Sequence, residues 1–346
     1  MADAHELTAK VKAMSREAGF AAVGVARAGP LPHIADERLD LWLDRGFVGP
    51  LAYMRRHREL RSNPAALLDG ARSVICLAWA YAQGPSGADN GDATPRLAAP
   101  IARYAAGRDY HKTLKARCHQ LMDRLREVAG DFTGRACVDS VPLGERALAV
   151  SAGLGWIGRN GCLIVPGLGS HVLLCEIVCT LDLVPDAPAD GACEGCGRCV
   201  EACPTGALKG DGLVDCRLCL SSLTIEQEAP ISPSLWPKMH GCLFGCDACQ
   251  DACPHNRPAS CPPTLDLLDV LGWDESSWDA ATRGRALRRA GLDMFLRNAI
   301  LACGSPPVRE RRAQRDELRG ALQRTARAHP PLHAEIDWAM EQLEAG

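Results

Sequence analysis

Two cysteine runs constrain this chain more than any other feature: CEGCGRCVEACP at residues 193–204 and GCDACQDACPHN at residues 245–256. The first has the spacing Cys-x2-Cys-x2-Cys-x3-Cys-Pro. In that arrangement three neighbouring thiolates hold three irons of a [4Fe–4S] cube, and the fourth serves a second cube. Cys193, Cys196 and Cys199 therefore need a distant partner, and Cys203 needs a second cluster. The second run supplies Cys246, Cys249 and Cys253 before Pro254, and DCRLCLSS between the runs offers Cys216 and Cys219. A ferredoxin-type exchange predicts one cube on Cys193, Cys196, Cys199 and Cys253, and another on Cys203, Cys219, Cys246 and Cys249. The rival is zinc: Cys193-x2-Cys196 and Cys216-x2-Cys219 are separated by 19 residues, within the range of a zinc ribbon. That reading leaves Cys199, the Cys203-Pro204 pair and the whole second run without a purpose. Cys76, Cys118, Cys137 and Cys303 sit in apolar surroundings and read as small buried hydrophobes.

Eighteen cysteines in a secreted protein would suggest disulfides. The N-terminus MADAHELTAK lacks the basic-then-apolar order of a secretory signal, and no uncharged apolar run approaches the length of a membrane span. Reduced, metal-binding thiols and a cytoplasmic location without a membrane are expected. The net charge of −3 neither marks nor excludes a nucleic-acid partner, because a basic face can sit on a mildly acidic protein.

Two adjacent cubes form an electron wire, and a wire needs a terminus. Residues 190–257 would suffice for a ferredoxin, so the rest of this 346-residue chain must do something else. An α+β organisation in three parts is predicted: an N-terminal α/β domain at 1–185, a ferredoxin-like two-cluster domain at 186–260, and a C-terminal helical, HEAT-like region at 261–346. ELTAKVKAMSREAG and DYHKTLKARCHQLMDRLREVAG carry apolar residues three and four apart and end at glycine. FAAVGVA, SVICLAWAY, RACVDSV and HVLLCEIVCTLDL read as strands. Residues 83–97 are rich in Gly, Pro, Asp and Asn and read as a long loop. Toward the C-terminus, LDMFLRNAILACG and HAEIDWAMEQLEAG read as amphipathic helices. GLGWIG at 153–158 matches a dinucleotide fingerprint, but the segment before it reads as helix and the segment after it does not, the reverse of what that fingerprint requires.

The chain resembles the epoxyqueuosine reductase family. The resemblance is carried by GFAAVGVA, GPLAYM, RYAAGRDYHKTL, VDSVPLGERALAVSAGLGWIGRN, the first cysteine run, CLSSLTIE, FGCDACQDACPHN and LRRAGLDMFLRNAILACGS, in that order and almost end to end. GRDYH, VDS-P-x-x-ER-x-x-A and AGLGWIG-x-N are far more particular to the family than the ferredoxin spacing. The resemblance implies a cobalamin held in the N-terminal domain and reduced through both clusters by an external low-potential donor. It also implies the reaction: removal of the epoxide oxygen of epoxyqueuosine in the anticodon loop of a tRNA, with release of water. The protein's share of such chemistry is burial, orientation and proton supply. A monomer is expected.

By the same resemblance Asp139, in VDS, is the proton donor, a role that asks for a carboxyl pKa raised by a dry apolar setting. Read without the family, Asp139 would cap a helix starting near Leu143. Arg103, Tyr104, Asp109, Tyr110 and His111 are candidate contacts of the corrin or substrate, as are Trp156 and Asn160 of the glycine-rich loop. Ser221, Thr224 and Glu226 beside the second cluster are candidate cofactor contacts. Glu145 and Arg146 read as an ion pair orienting the Asp139 loop or as surface charge. A tRNA substrate needs phosphate contacts; Arg55, Arg56 and Arg58, then Arg285, Arg288 and Arg289, and the arginines of 309–327 offer them, unless they are solvated helix faces. The chain departs from the family pattern at Ala80, His171, Ser222 and His255, which leaves room for a corrinoid reductase or electron-transfer protein acting on a small molecule.

Overall fold

The structure is a computed structural model and describes residues 3–81, 97–309 and 312–345. The loop expected over 83–97 lies, except for Leu97, outside the described residues. The strands are β1 (Ala22–Arg27), β2 (Ser73–Ala80), β3 (Ala98–Pro100), β4 (Gly134–Cys137), β5 (Trp156–Ile157), β6 (Leu163–Ile164), β7 (Val172–Cys179) and β8 (Thr264–Asp266). Four of them make one sheet in the order β1-β2-β7-β4, every neighbour antiparallel.

The period of two along β2 decides which side chain goes where. Ile75 and Leu77 face a layer built by the helices Ala4–Glu17 and Tyr110–Ala129, where Val11, Leu114, Cys118, Leu121 and Leu125 are buried with Cys175 and Ile177. Val74, Cys76 and Ala78 face the other way, onto Leu148 and Ala149 of the helix Glu145–Ser151. Each leucine-sized side chain so buried stabilises the fold by about 1.5–3 kcal/mol. Asp3 and Asp109 start the two long helices as caps, their carboxylates accepting from the backbone N–H of His5 and His111.

β4 ends earlier than RACVDSV suggests. Asp139 has φ +53°, a left-handed conformation incompatible with continuing the strand. The GLGWIG loop is not a phosphate cradle. It follows the helix Glu145–Ser151 and runs into the β5–β6 hairpin, and Gly155 is required there because a Cβ would lie 1.9 Å from the Ile164 carbonyl oxygen.

The third core joins parts of the chain far apart in sequence. Leu97, Ala99, Ile101 and Ala105 pack with Phe244, Leu267, Leu287 and Phe295. β3 pairs with β8, and Ile101 bridges to Phe244. The segment 97–105, expected within the N-terminal domain, is thus built into the packing of the C-terminal region. That region is helical, through Leu292–Cys303, Arg315–Ala328 and His333–Ala345. Leu292–Cys303 is not amphipathic as expected: every residue but Asp293 is buried. Its two buried polar residues, Arg297 and Asn298, are satisfied inside. Arg297 donates to the carbonyls of Leu223 and Gln227, and Asn298 donates to those of Thr224 and Leu243. No helix among the described residues is long and apolar enough to cross a membrane.

Candidate active site and metal centres

The two cysteine runs fold alike: each threads a four-residue helix, Arg198–Glu201 or Ala248–Asp251, and the two helices pack together. This crosses the runs. Cys199 lies beside Cys193 and Cys253, and Cys253 beside Cys193 and Cys196. These four line one recess together with His255. Cys219 lies beside Cys203 and Cys246, and Cys249 beside Cys219 and Cys246. The eight thiols expected to exchange between clusters are therefore brought together as two groups of four. Burial raises Cys219 to about 11 and also raises Cys199 and Cys253. Metal coordination, which deprotonates a thiol outright, would overcome this effect of burial. Soft thiolates in two sets of four fit iron–sulfur clusters.

A buried ion pair ties the second run to the rest of the site. Arg103, 8% exposed, reaches Asp247 Oδ2 at 2.9 Å and Asp251 Oδ1 at 2.8 Å, and its Nε donates to the Ser260 carbonyl. Its guanidinium, expected at the corrin or substrate, is spent on the cluster segment.

Asp139 stands at the centre of a polar network. Tyr110 Oη donates to its Oδ2 at 2.8 Å, and His111 Nε2 lies 2.9 Å from the same oxygen. The other ring nitrogen, Nδ1, lies 2.7 Å from Asp109 Oδ1. The rings of Tyr110 and His111 stack with centroids 4.0 Å apart, and Tyr104 meets Tyr110 edge-on at 5.9 Å. Asp139 does not cap the next helix, which begins at Glu145 after Gly144. Its own backbone N–H instead donates to Glu145 Oε1 at 2.7 Å. Glu145 and Arg146 do not make the ion pair with each other that was one of the expected alternatives; Arg146 binds the Gly161 carbonyl.

The dry setting expected for Asp139 is absent. The His111 hydrogen bond, helped by Tyr110, holds its carboxyl below the usual range against the opposing effect of burial. The same contact raises His111, with Asp109 adding to it. The raised carboxyl is the neighbouring one: burial first, then the charge of Asp139, push Glu145 up to about 8. A second raised acid, Glu176 in β7, carries no sequence signal because it alternates like a core residue. It is 0% exposed, has no partner for either oxygen among the described residues and is raised by burial and by Glu145.

The other candidates divide between regions. Trp156 packs edge-on to His255 at 5.5 Å, and Asn160 lines the recess of the first cysteine group, so both lie at that group. Thr224 is buried, donates to the Leu220 carbonyl and accepts from Gly245 N–H, a structural use. Ser221 is half-buried on the same helix, Leu220–Ile225. Glu226 holds Arg289 through two bonds of 2.9 and 2.8 Å. Tyr53, unremarked in the sequence, sits within the influence of Glu226, Arg289, Asp139 and Arg61.

Of the candidate RNA contacts, Arg55 and Arg56 are exposed. Arg58 pairs with Asp40, Arg285 donates to the Ala106 carbonyl, and Arg288 binds Asp279 while lying over Trp278.

Residues 61–140 match the family described as epoxyqueuosine reductase QueG, DUF1730, and residues 192–256 match a 4Fe-4S double cluster binding domain. The second match overturns the zinc alternative. An epoxyqueuosine reductase of Shewanella oneidensis is 35% identical over 360 residues, covering 98% of this chain and 89% of that one. The solved epoxyqueuosine reductase of Streptococcus thermophilus superposes with a TM-score of 0.86 at 27% identity, covering 98% of this chain and 90% of that one. A crystal structure of epoxyqueuosine reductase with an epoxyqueuosine-modified tRNA-Tyr stem loop has the same fold, with a TM-score of 0.80 at 24% identity and coverage of 99% and 100%.

Proposed function

This chain belongs to the epoxyqueuosine reductase family, a family of oxidoreductases, and on that premise we propose that it reduces epoxyqueuosine to queuosine in the anticodon loop of a tRNA. The observation that carries this reading is the network of Asp109, His111, Tyr110 and Asp139 in the same chain as two groups of four thiols. Turning an epoxide into an alkene consumes two electrons and two protons and releases one water. The chain has parts for both.

The ligands we assign are Cys193, Cys196, Cys199 and Cys253 for one [4Fe–4S] cluster, and Cys203, Cys219, Cys246 and Cys249 for the other. Cys196 is exposed, which suits entry of electrons from an external donor at the first cluster. For the terminus we assign cobalamin, which when bound would deliver the electrons to the epoxide. At this end of the molecule the Asp139 carboxylate is 58% exposed, and Arg61 Nε, near Tyr53 and Glu145, is a buried donor without a partner among the described residues, which an amide of the group would satisfy; the unpartnered donors of Trp156 and Asn160 lie at the first cysteine group instead. Ser221 and Tyr104 would complete its surroundings.

Proton delivery follows from the pKa directions. His111, held between the carboxylates of Asp109 and Asp139 that raise its hold on a proton, supplies that proton, and Asp139 passes it to the departing oxygen while Tyr110 keeps that carboxylate oriented. The proton donor is thus the His111–Asp139 pair rather than an isolated neutral carboxyl. The tRNA is held through exposed Arg55 and Arg56; Arg58, Arg285, Arg288 and Arg289 would first have to exchange their present partners for phosphate. A monomer working in the cytoplasm suits this substrate.

The test is an anaerobic assay of the reconstituted protein on tRNA containing epoxyqueuosine, read by mass analysis of the nucleosides. Loss of one oxygen from that nucleoside is expected. Iron and cobalamin bound, with the nucleoside unchanged under strong reduction, would refute the tRNA assignment.

A further inference from the structure

The second cysteine group is assembled from segments that have no local reason to meet. Cys219 is the N-cap of the helix Leu220–Ile225, and Cys246 follows Gly245, whose φ of +71° turns the chain into the second run. A Cβ at Gly245 would lie 2.5 Å from that of Ala102, so only glycine takes that turn. One side of this approach is held by backbone: the Leu243 N–H donates to the Pro100 carbonyl, and the Ala102 N–H to that of Phe244. The other side is held by two buried side chains. Thr224 Oγ1 accepts the Gly245 N–H at 2.9 Å while donating to the Leu220 carbonyl at 2.7 Å. Asn298, in the helix Leu292–Cys303, spans both segments with one amide: its Nδ2 lies 3.0 Å from the Thr224 carbonyl oxygen and 2.9 Å from that of Leu243.

A primary amide suits this task. It carries two N–H donors on one nitrogen, enough for two carbonyls, and its oxygen remains free to accept. Arg297 takes that acceptor through Nη2 at 3.0 Å, and the same Nη2 reaches the Leu223 carbonyl at 2.9 Å. Thr224, Leu243 and Asn298 are all 0% exposed, so no water replaces the donors once the amide is removed. Among the described residues, the bonds that Arg297 and Asn298 make beyond their own helix end on residues 223–243, none of them in the first group. Three thiols of the first group come instead from the single short run 193–199, and Cys253 follows the helix Ala248–Asp251, which packs on Arg198–Glu201.

We propose that Asn298, seconded by Thr224, is a positioning residue of the second cluster: it holds the segment carrying Cys219 against the segment carrying Cys246, which makes the C-terminal helical region part of one metal centre and not of the other. This rests on the ligand assignment under Proposed function. Groups that orient metal ligands from outside the coordination shell contribute about 10–100-fold to metal affinity. The electron path is complete only once the helix Leu292–Cys303 has docked.

Full-length protein and its Asn298→Leu, Thr224→Val and Thr224→Ser variants would be reconstituted anaerobically, with Cys219→Ala as the reference altered in a ligand of the second cluster only. Iron is counted, the reduced proteins are compared by electron paramagnetic resonance, and loss of each signal is followed against increasing chelator. The ligand assignment predicts about eight irons and two cluster signals in the unaltered protein. In Cys219→Ala it predicts fewer irons, with one signal gone or altered and the other kept, which identifies the second cluster. The positioning role predicts that this cluster gives up its iron at about a 10–100-fold lower chelator concentration in Asn298→Leu and Thr224→Val, while the first holds as in the unaltered protein. Thr224→Ser, which keeps the hydroxyl, should behave like the unaltered protein. If Asn298→Leu does not fold, the Thr224 variants decide for the two residues together. Unchanged resistance of the second cluster in Asn298→Leu and Thr224→Val would overturn the positioning role and leave the ligand assignment standing. Equal weakening of both clusters would overturn it too, as a loss of general stability. Two unaltered signals in Cys219→Ala would overturn the ligand assignment and this proposal with it.

Discussion

At the scale of single residues, the sequence singles out Asp139 but not its chemistry, because its partners Tyr110 and His111 lie 29 and 28 positions earlier. A pKa depends on what folding brings near, and no local pattern announces that a histidine will fill the space expected to be apolar. Asp139→Asn should lower turnover by about 10²–10⁴-fold while iron and cobalamin contents hold, checked by single-turnover assay beside metal analysis. The pH profile identifies the proton carrier. His111 is raised above 6.5, so activity that needs its proton persists above that pH and declines as pH climbs through the raised value. His111→Gln should remove this alkaline limb. Glu145 bears on stability instead. Its folded pKa is about 8 against an ordinary 4.5, so the folded state holds the extra proton between those values, and stability falls as pH rises across that window. Glu145→Gln should flatten that slope in denaturant titrations across the same window, and a slope as steep as that of the unaltered protein would assign the effect to another group.

Elements are legible where one face of a helix or strand meets a core. The two long N-terminal helices and the strands of the large sheet fall within a few residues of their sequence signals, since a period of 3.6 or 2 survives whatever the tertiary neighbours are. Leu292–Cys303 reads as amphipathic because Arg297 and Asn298 look like a solvent face. They are instead consumed by carbonyls of neighbouring segments. The bond from Arg103 to the Ala248–Asp251 helix is likewise invisible in the sequence, 144 and 148 positions separating the partners. Arg103→Met leaves Asp247 buried without its counter-ion and should destabilise the protein by about 3–5 kcal/mol. Urea titration of cluster-free and reconstituted protein would check it, and a drop under ~1 kcal/mol would mean the pair is dispensable. Gly155→Ala should cost about 1–3 kcal/mol or more, through overpacking against the Ile164 carbonyl.

For the whole molecule, the cysteine spacing and the family resemblance convey the class of fold and the reaction, but not how the parts are joined. A linear division at 185 and 260 suits composition; the third core ignores it. On the substrate side, Arg55→Ala with Arg56→Ala should raise KM for tRNA and leave kcat in place. The dependence of log affinity on log salt should become shallower by about 0.7 for each single-strand phosphate that these arginines no longer neutralise. An unchanged slope would move the RNA surface elsewhere. The pairing of β3 with β8 reaches further. The Leu97 N–H waits for the carboxylate of Asp266, 169 residues later. During translation the amino-terminal sheet can form while this strap hangs unpaired, and only emergence of the last third of the chain from the ribosome closes it. All eight assigned thiols, the last of them Cys253, precede β8 in the chain, so the strap closes only after every one of them has emerged.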